Sequence, residues 1–138
     1  MTTFKKGYAQ DVGIDICLDH DVTFEPFETK VINIGVNIPT RAYRSIMMCA
    51  RTSAAKQGII VNQCPIDPNY EGPAHIIAHN LSRNTVTFEA GQAFAQIYAF
   101  DCQDIAIDYI VKKRGIRNFN NFGSTDKEIK HNDTDSRR

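Results

Sequence analysis

The sequence predicts an all-β domain with one short helix and a flexible basic arm at the C-terminal end. Two observations predict the β domain: about eight to ten short segments are apolar or alternate apolar and polar residues, and turn-forming residues separate them. A third observation predicts the arm, because the alternation stops at Lys112 and a polar, charged stretch follows. We therefore expect a sandwich or barrel over residues 1–111 and an arm over residues 112–138.

Size and composition are typical of one globular domain. The chain has 138 residues, of which 42% are hydrophobic and 23% charged. No apolar run approaches the roughly 20 residues that span a bilayer, and the first residues lack the apolar core of a signal peptide. We expect a cytosolic protein with no membrane partner.

The four cysteines show neither Cys-x-x-Cys pairing nor a histidine at zinc-ligand spacing, which predicts reduced, mostly packed thiols; they are Cys17, Cys49, Cys64 and Cys102.

The formal net charge of zero hides an uneven distribution. Residues 1–111 carry eight Lys and Arg against twelve Asp and Glu, whereas residues 112–138 carry eight against four. A basic arm can bind nucleic acid or fold over a small polyanion. Because the acidic body has no basic stripe that would continue a nucleic-acid footprint, nucleic acid is the disfavoured partner.

The first half of the chain contains four predicted strands. A strand follows the polar turn within residues 8–18, and Pro26 makes residues 22–28 an edge or a bend. Residues 30–39 show the clearest alternation and predict a half-buried antiparallel strand, and residues 43–49 form another apolar run.

A short helix is predicted after that run. Thr52 and Ser53 precede two alanines and Lys56, so we expect a helix capped by the hydroxyl groups and stopped by Gly58. Such a helix start can bind an anion. The alternative is a plain capped turn with no ligand.

The second half contains four further predicted strands. In the strand over residues 74–79, His75 and His79 share a face, and we expect them to be interface or surface residues. Residues 85–88 and 93–100 form two more strands. The second of these carries Gln96, an amide that must find hydrogen bonds and is therefore either structural or a ligand contact. Residues 105–111 alternate again and predict the last strand.

The segment from Asn62 to Gly72 is the candidate site. Proline fixes φ and Asn and Gly tolerate turn geometry, so this segment favours two strands joined by a tight connection. Asp67 and Tyr70 lie three residues apart on that connection. Our hypothesis is that the carboxylate activates a water and the ring shapes a sugar pocket; the alternative is an ordinary hairpin turn in which Asp67 bonds to its own backbone.

Five segments in order resemble the five motifs of the trimeric dUTP pyrophosphatases (dUTPases), over residues 8 to 125. They are Ala9-Gln10-Asp11-Val12-Gly13-Ile14-Asp15-Ile16, Arg51-Thr52-Ser53, Ile66-Asp67-Pro68-Asn69-Tyr70-Glu71-Gly72, Ala90-Gly91-Gln92-Ala93-Phe94-Ala95-Gln96-Ile97 and Phe122-Gly123-Ser124-Thr125. The resemblance implies a distorted jelly roll and a homotrimer whose active sites are shared between chains.

The resemblance also implies the reaction. The substrate is dUTP, the products are dUMP and pyrophosphate, and Mg²⁺ rides on the triphosphate without direct protein ligands. Asp67 is implied as the general base that deprotonates a water attacking the α-phosphorus. Tyr70 is implied to pack on the sugar where a ribose 2′-hydroxyl would project, and Asn62 to contact the uracil edge.

The remaining motif residues are implied to hold the triphosphate and close the site. Thr52, Ser53 and Gln96 resemble phosphate contacts, and Lys56 aligns with a phosphate-binding arginine of the related dCTP deaminases. Arg51 and Asp15 resemble orienting or structural residues. On the arm, Phe122 is implied to stack over uracil, Ser124 and Thr125 to close on the terminal phosphate, and Arg117 to be the arm arginine, with Arg114 as its rival.

Two other functions remain open from the sequence. A dCTP deaminase needs a glutamate on the strand after the Asp67 turn, and the corresponding position is Ile77. The second alternative is a catalytically reduced nucleotide-binding protein that acts through a regulatory partner.

Overall fold

The computed structural model describes residues 1–112, which form nine short strands and one five-residue helix. In chain order these are β1 (Thr3–Lys5), β2 (Ile14–Cys17), β3 (Val22–Phe24), β4 (Thr29–Asn33), β5 (Arg44–Ala50), α1 (Thr52–Lys56), β6 (Ile59–Val61), β7 (His75–Asn80), β8 (Val86–Phe88) and β9 (Ala95–Asp101). The all-β prediction and the expected number of strands are confirmed for this part of the chain.

The strands form three antiparallel sheets. The largest has the order β1-β2-β9-β5, and β5 and β9 pair along seven residues, from Arg44 opposite Asp101 to Ala50 opposite Ala95. The second sheet has the order β4-β7-β6, and the third contains β3 and β8. All three contribute to one core, whose aromatic centre is formed by Phe24, Phe88 and Phe94. Burying each such ring stabilises the fold by about 1.5–3 kcal/mol.

Two predicted strands differ from those observed. The strand expected over residues 30–39 ends at Asn33, because Gly35 adopts a φ of 78° and its N–H donates to Asn33 Oδ1 over 2.8 Å. The inward face is still correct, since Ile34 and Ile38 are both buried. Residues 105–111 form no strand, and Ile105 and Ile107 are exposed. An alternating segment forms a strand only where a neighbouring strand pairs with it, and residues 105–111 have no such neighbour among the described residues.

The helix begins and ends differently from the prediction. Its N-cap residue is Arg51, and no side chain caps it, so the hydroxyl capping expected from Thr52 and Ser53 is wrong. Both of these residues lie inside the first turn instead. The expected stop is confirmed: Gly58 has a φ of 90°, and its N–H donates to the Ala55 carbonyl over 3.0 Å.

All four cysteines are free thiols, as predicted. No helix within residues 1–112 is long and apolar enough to cross a membrane.

Candidate functional site

A cleft of about 600 Å³ lies where the end of β5, the helix α1 and the start of β9 meet the loop over residues 7–13. The cleft gathers most of the residues predicted to bind phosphate or to orient those that do, although they come from separate parts of the sequence. They are Asp15, Arg51, Thr52, Ser53, Lys56 and Gln96.

Asp15 and Arg51 form an ion pair at this cleft. Arg51 Nε lies 3.0 Å from Asp15 Oδ1, and the Arg51 backbone N–H donates to the Phe94 carbonyl over 2.9 Å. The carboxylate is less exposed than the guanidinium, with side-chain exposures of 22% and 41%. Asp15 therefore restrains the arginine from the interior while part of the guanidinium remains open to solvent.

Gln96 is hydrogen-bonded to the backbone on one side and occupies the space beside a glycine on the other. Its Nε2 donates to the Ala50 carbonyl over 3.1 Å. A Cβ on Gly13 would lie 2.0 Å from Gln96 Oε1. The amide therefore fits beside β2 only because position 13 is glycine, and it is kept at the cleft rather than in the core.

The helix α1 supplies further hydrogen-bond donors. Thr52, Ser53 and Lys56 lie on one short helix, and all three line the cleft. Hydroxyl, ammonium and guanidinium groups are suited to a polyanion. Asp11 also lines the cleft, and its carboxylate is engaged locally because Oδ2 accepts the Tyr8 N–H over 2.8 Å.

The candidate carboxylate lies on a tight turn from Asp67 to Tyr70. The Tyr70 N–H donates to the Asp67 carbonyl over 3.2 Å, and Asn69 has a φ of 64°. Pro68 precedes Asn69, which is the residue order that a type II turn favours. The predicted tight turn is confirmed, whereas the two strands that flank it are farther away than expected, at β6 and β7.

Thr40 anchors this turn from outside. Its hydroxyl donates to the Asp67 carbonyl over 3.4 Å and accepts the Asn69 N–H over 2.8 Å. Immediately before the turn, Ile66 and Ile46 exchange two backbone hydrogen bonds of 2.7 and 3.2 Å, and the buried Ser45 hydroxyl donates to the Ile66 carbonyl. The backbone that carries Asp67 is therefore fixed to β5.

Asp67 and the cleft lie at different points along β5. The turn is attached at Ile46, and the cleft begins beyond Ala50. Four residues of strand separate these points by about 13 Å. Neither Asp67 nor Tyr70 lines the cleft. Within one chain, the structure therefore forms two separate half-sites from residues that the sequence predicts to act together.

Tyr70 is packed against a glycine. Its hydroxyl donates to the Pro73 carbonyl over 3.2 Å. A Cβ on Gly72 would lie 2.2 Å from this hydroxyl oxygen and 2.5 Å from the ring carbon that carries it. The ring position thus depends on Gly72.

Asn62 lies just after β6 and is joined to β7. Its N–H donates to the Ile77 carbonyl over 2.8 Å, and its Oδ1 lies 2.7 Å from His79 Nε2. The predicted shared face of His75 and His79 is confirmed, since both are half-buried on the outward side of β7.

The match to a protein-family model decides the family. The dUTPase model matches residues 1–126. The chain belongs to the dUTPase family. The curated and solved dUTPases that it resembles include viral and bacterial proteins.

Two curated relatives, one viral and one bacterial, are similar to this chain. The Pol polyprotein of equine infectious anemia virus (strain Wyoming) is 30% identical over 96 residues, which is 70% of this chain but 8% of that protein. The chain thus spans less than a tenth of the length of this relative. The deoxyuridine 5′-triphosphate nucleotidohydrolase of Solibacter usitatus is 31% identical over 100 residues, covering 70% of this chain and 68% of that protein.

A solved structure agrees with the fold. The native EIAV dUTPase superposes with a TM-score of 0.70 at 25% identity, covering 83% of this chain and 96% of that chain. The jelly-roll-like β fold implied by the sequence resemblance is therefore confirmed. The cleft contains residues of the first, second and fourth dUTPase motif segments, and the Asp67 turn carries the third.

The fifth dUTPase motif segment lies outside the described residues. This applies to Arg117, Phe122, Ser124 and Thr125, to the rival Arg114, and to the arm beyond Lys112.

Sequence reasoning missed residues outside the motif segments that contact the predicted site residues. Through their hydroxyl groups, Thr40 contacts the Asp67 turn directly, and Thr29 contacts His79, which in turn contacts Asn62. A single threonine is too common to be singled out without its partner. Gly13 and Gly72 stood inside the quoted motifs, but only the three-dimensional contacts reveal what each glycine leaves room for.

Proposed function

We propose that this dUTPase-family protein is a dUTP diphosphatase that hydrolyses dUTP to dUMP and pyrophosphate in the cytosol. The observation that carries the proposal is the anchored Asp67–Tyr70 turn in a chain that matches the dUTPase family over residues 1–126. A cleft rich in hydrogen-bond donors, suited to a triphosphate, supports it.

Asp67 is the general base of the proposed reaction. Its carboxylate orients a water and accepts a proton from it as the oxygen attacks the α-phosphorus. The bond between that phosphorus and the oxygen bridging to the β-phosphate breaks, and pyrophosphate leaves with the bonding electrons. The fixed backbone on either side of Asp67 reduces the entropy cost of placing the water in line.

The cleft binds the phosphate groups in this proposal. The Thr52 and Ser53 hydroxyls, the Lys56 ammonium and the Gln96 amide supply hydrogen bonds and charge to the triphosphate. Arg51 is an orienting residue, since Asp15 already holds its guanidinium.

The nucleoside is recognised on the other half-site. The Tyr70 ring packs on the deoxyribose, where a ribose 2′-hydroxyl would lose its hydrogen bonds to water. Asn62 reads the uracil edge. On the arm, Phe122 stacks on the base, Ser124 and Thr125 close on the terminal phosphate, and Arg117 or its rival Arg114 contributes the arm's positive charge.

A homotrimer brings the two half-sites together. The separation of about 13 Å along β5 supports this arrangement, because one chain does not bring Asp67 to the phosphate cleft. Exposed apolar side chains on the outward side of the β4-β7-β6 sheet, including Val31 at 58% and Ile60 at 39%, give a second copy a surface to cover.

Mg²⁺ is carried into the site by the triphosphate. Within residues 1–112, no three His, Cys, Asp or Glu residues lie together as a ligand set. In this proposal the ion is held chiefly by the substrate phosphates, as is usual for Mg²⁺ in nucleotide enzymes. When bound, the ion neutralises phosphate charge that otherwise repels the attacking oxygen.

The decisive experiment separates the products of dUTP, dCTP, dTTP and UTP after incubation with the protein and Mg²⁺. Pyrophosphate from dUTP with little from the others supports the proposal. Ammonia from dCTP indicates a deaminase, and dUTP binding without turnover indicates a regulatory binding protein. The matched control is Asp67→Asn, which should retain nucleotide affinity and lose turnover by a factor on the order of 10²–10⁴.

The shared site has its own test. Asp67→Asn and Gln96→Ala chains, each purified separately, are unfolded, mixed and refolded together. If sites are shared, mixed trimers contain some sites with neither substitution, and activity rises above that of either parent. Activity no greater than the average of the parents contradicts the shared arrangement.

A further inference from the structure

A hydrogen-bonded chain of three side chains crosses the outward side of the β4-β7-β6 sheet. The Thr29 hydroxyl lies 2.8 Å from His79 Nδ1, and His79 Nε2 lies 2.7 Å from Asn62 Oδ1. The register explains the contact, because Thr29 is opposite His79 across β4 and β7, and His79 is opposite Ile60 across β7 and β6. The imidazole therefore lies between a hydroxyl and an amide.

With the Asn62 oxygen facing the ring, the direction of the bond between His79 and Asn62 is fixed. The Asn62 oxygen can only accept, so His79 Nε2 carries the proton that it donates. Nδ1 of a neutral ring then accepts the Thr29 hydroxyl proton, and an imidazolium instead donates from both nitrogens. In either protonation state the Asn62 carbonyl oxygen is occupied and its NH₂ group points away from the ring.

Asn62 lies where the chain that follows β6 separates from β7. The ladder between β6 and β7 continues to the bond from the Asn62 N–H to the Ile77 carbonyl. The chain then turns toward β5, where Ile66 pairs with Ile46. The Asp67–Tyr70 turn follows directly. Asn62 is thus the last residue paired with β7 before the chain crosses to β5 and forms the turn that carries the proposed catalytic and sugar-binding residues.

We infer that His79 is a specificity-determining positioning residue: with Thr29, it orients the Asn62 amide so that its NH₂ group faces the base, which selects a 4-oxo over a 4-amino pyrimidine. This inference deepens the proposed function and rests on it. His79 itself does not touch the substrate.

The selection follows from donor and acceptor matching. Uracil presents a carbonyl oxygen at position 4, which accepts a hydrogen bond from the Asn62 NH₂ group. Cytosine presents an amino group there, so two donors face each other and neither is satisfied. If the amide were free to rotate by 180°, its oxygen could accept from cytosine and the discrimination would be lost.

The test compares the ratio of kcat/KM for dUTP to that for dCTP, measured by pyrophosphate release, in the wild type and four variants. His79→Leu should lower the ratio about tenfold, chiefly through a higher KM for dUTP. His79→Gln keeps an N–H near the position of Nε2 and should retain most of the ratio. Thr29→Val should give an intermediate loss, and His20→Leu, the same change at a remote exposed histidine, should give none.

Several outcomes would overturn the inference. An unchanged ratio in His79→Leu, or an equal loss in His79→Gln, removes the orienting role. A loss that coincides with dissociation of the assembly on size-exclusion chromatography assigns His79 to assembly instead.

If the wild type releases no pyrophosphate from dUTP, the proposed function fails. The same variants then test the inference through the binding of dUMP and dCMP. A wild-type preference for dUMP that His79→Leu abolishes supports it, and equal wild-type affinities refute it.

Discussion

Gln96 occupies the space that a side chain at position 13 would need: a Cβ on Gly13 would lie 2.0 Å from Gln96 Oε1 and 2.9 Å from its amide carbon. The strand pairing places these residues together, because Asp15 on β2 is directly opposite Gln96 on β9. The glycine of the first motif and the glutamine of the fourth are thus one structural unit at the cleft.

Gly13→Ala is expected to displace the Gln96 amide from the cleft and raise the KM for dUTP about tenfold, as loss of a hydrogen bond to a charged group does. Steady-state kinetics measure the effect. In a Gln96→Ala background the same change should cost little, because the displaced group is already absent. Additive losses in the double variant would show that Gly13 acts independently of Gln96.

Gly72→Ala should weaken sugar discrimination. The added methyl group overlaps the Tyr70 ring, so the ring must leave its position beside Pro73. We expect the preference for dUTP over UTP, measured as a ratio of kcat/KM, to fall about tenfold. Tyr70→Ala provides the reference value for complete loss of the ring; a Gly72→Ala ratio equal to the wild-type ratio contradicts the packing argument.

Thr40→Val should loosen the turn that presents Asp67. The valine keeps the shape but removes one donor to the Asp67 carbonyl and one acceptor for the Asn69 N–H. We expect a loss of about 1–2 kcal/mol in the free energy of unfolding, measured by urea titration, together with a lower kcat. Thr40→Ser keeps the hydroxyl and should preserve kcat; an equally impaired serine variant would assign the effect to the lost methyl group.

Asp19 should contribute to stability in mildly acidic solution. The His20 ring, and after it the N-terminal ammonium, lower the pKa of Asp19 from 3.8 to about 2. Because the folded-state pKa is depressed, this stabilisation is fully present above pH 3.8 and is lost as the pH falls through about 2.

At low ionic strength, Asp19→Asn should therefore lower Tm near pH 5 and have a much smaller effect near pH 2. Thermal unfolding followed by circular dichroism tests this difference. An equal change in Tm at both pH values would exclude ionisation as the cause.

Removal of residues 112–138 should leave a folded assembly with little dUTP hydrolysis. Every core residue of the described part of the chain lies before residue 112, whereas the proposed lid motif lies after it. Size-exclusion chromatography and pyrophosphate release measure the two properties. A truncated protein with wild-type turnover would remove the arm from the mechanism.

Much of the fold could be predicted because its signals are local. Apolar runs located β5 and β9, alternation located β7, and the positive φ of Gly58 matched the expected end of the helix. The errors occurred where contacts with other parts of the chain, rather than local sequence, set the structure. Residues 105–111 alternate like a strand but form none within the described chain, and Thr52 and Ser53 read as caps but lie inside the helix.

The sequence by itself determined the β class, the single short helix and the motif segments, since residue types at short spacing set backbone preference and chemical capacity. Only the tertiary structure decided which groups meet. It joined Asp15 to Arg51 and Gly13 to Gln96, and it separated Asp67 from the cleft along β5. The reason is physical: antiparallel register brings together residues that are distant in sequence, and a strand's rigid rise per residue keeps its two ends apart.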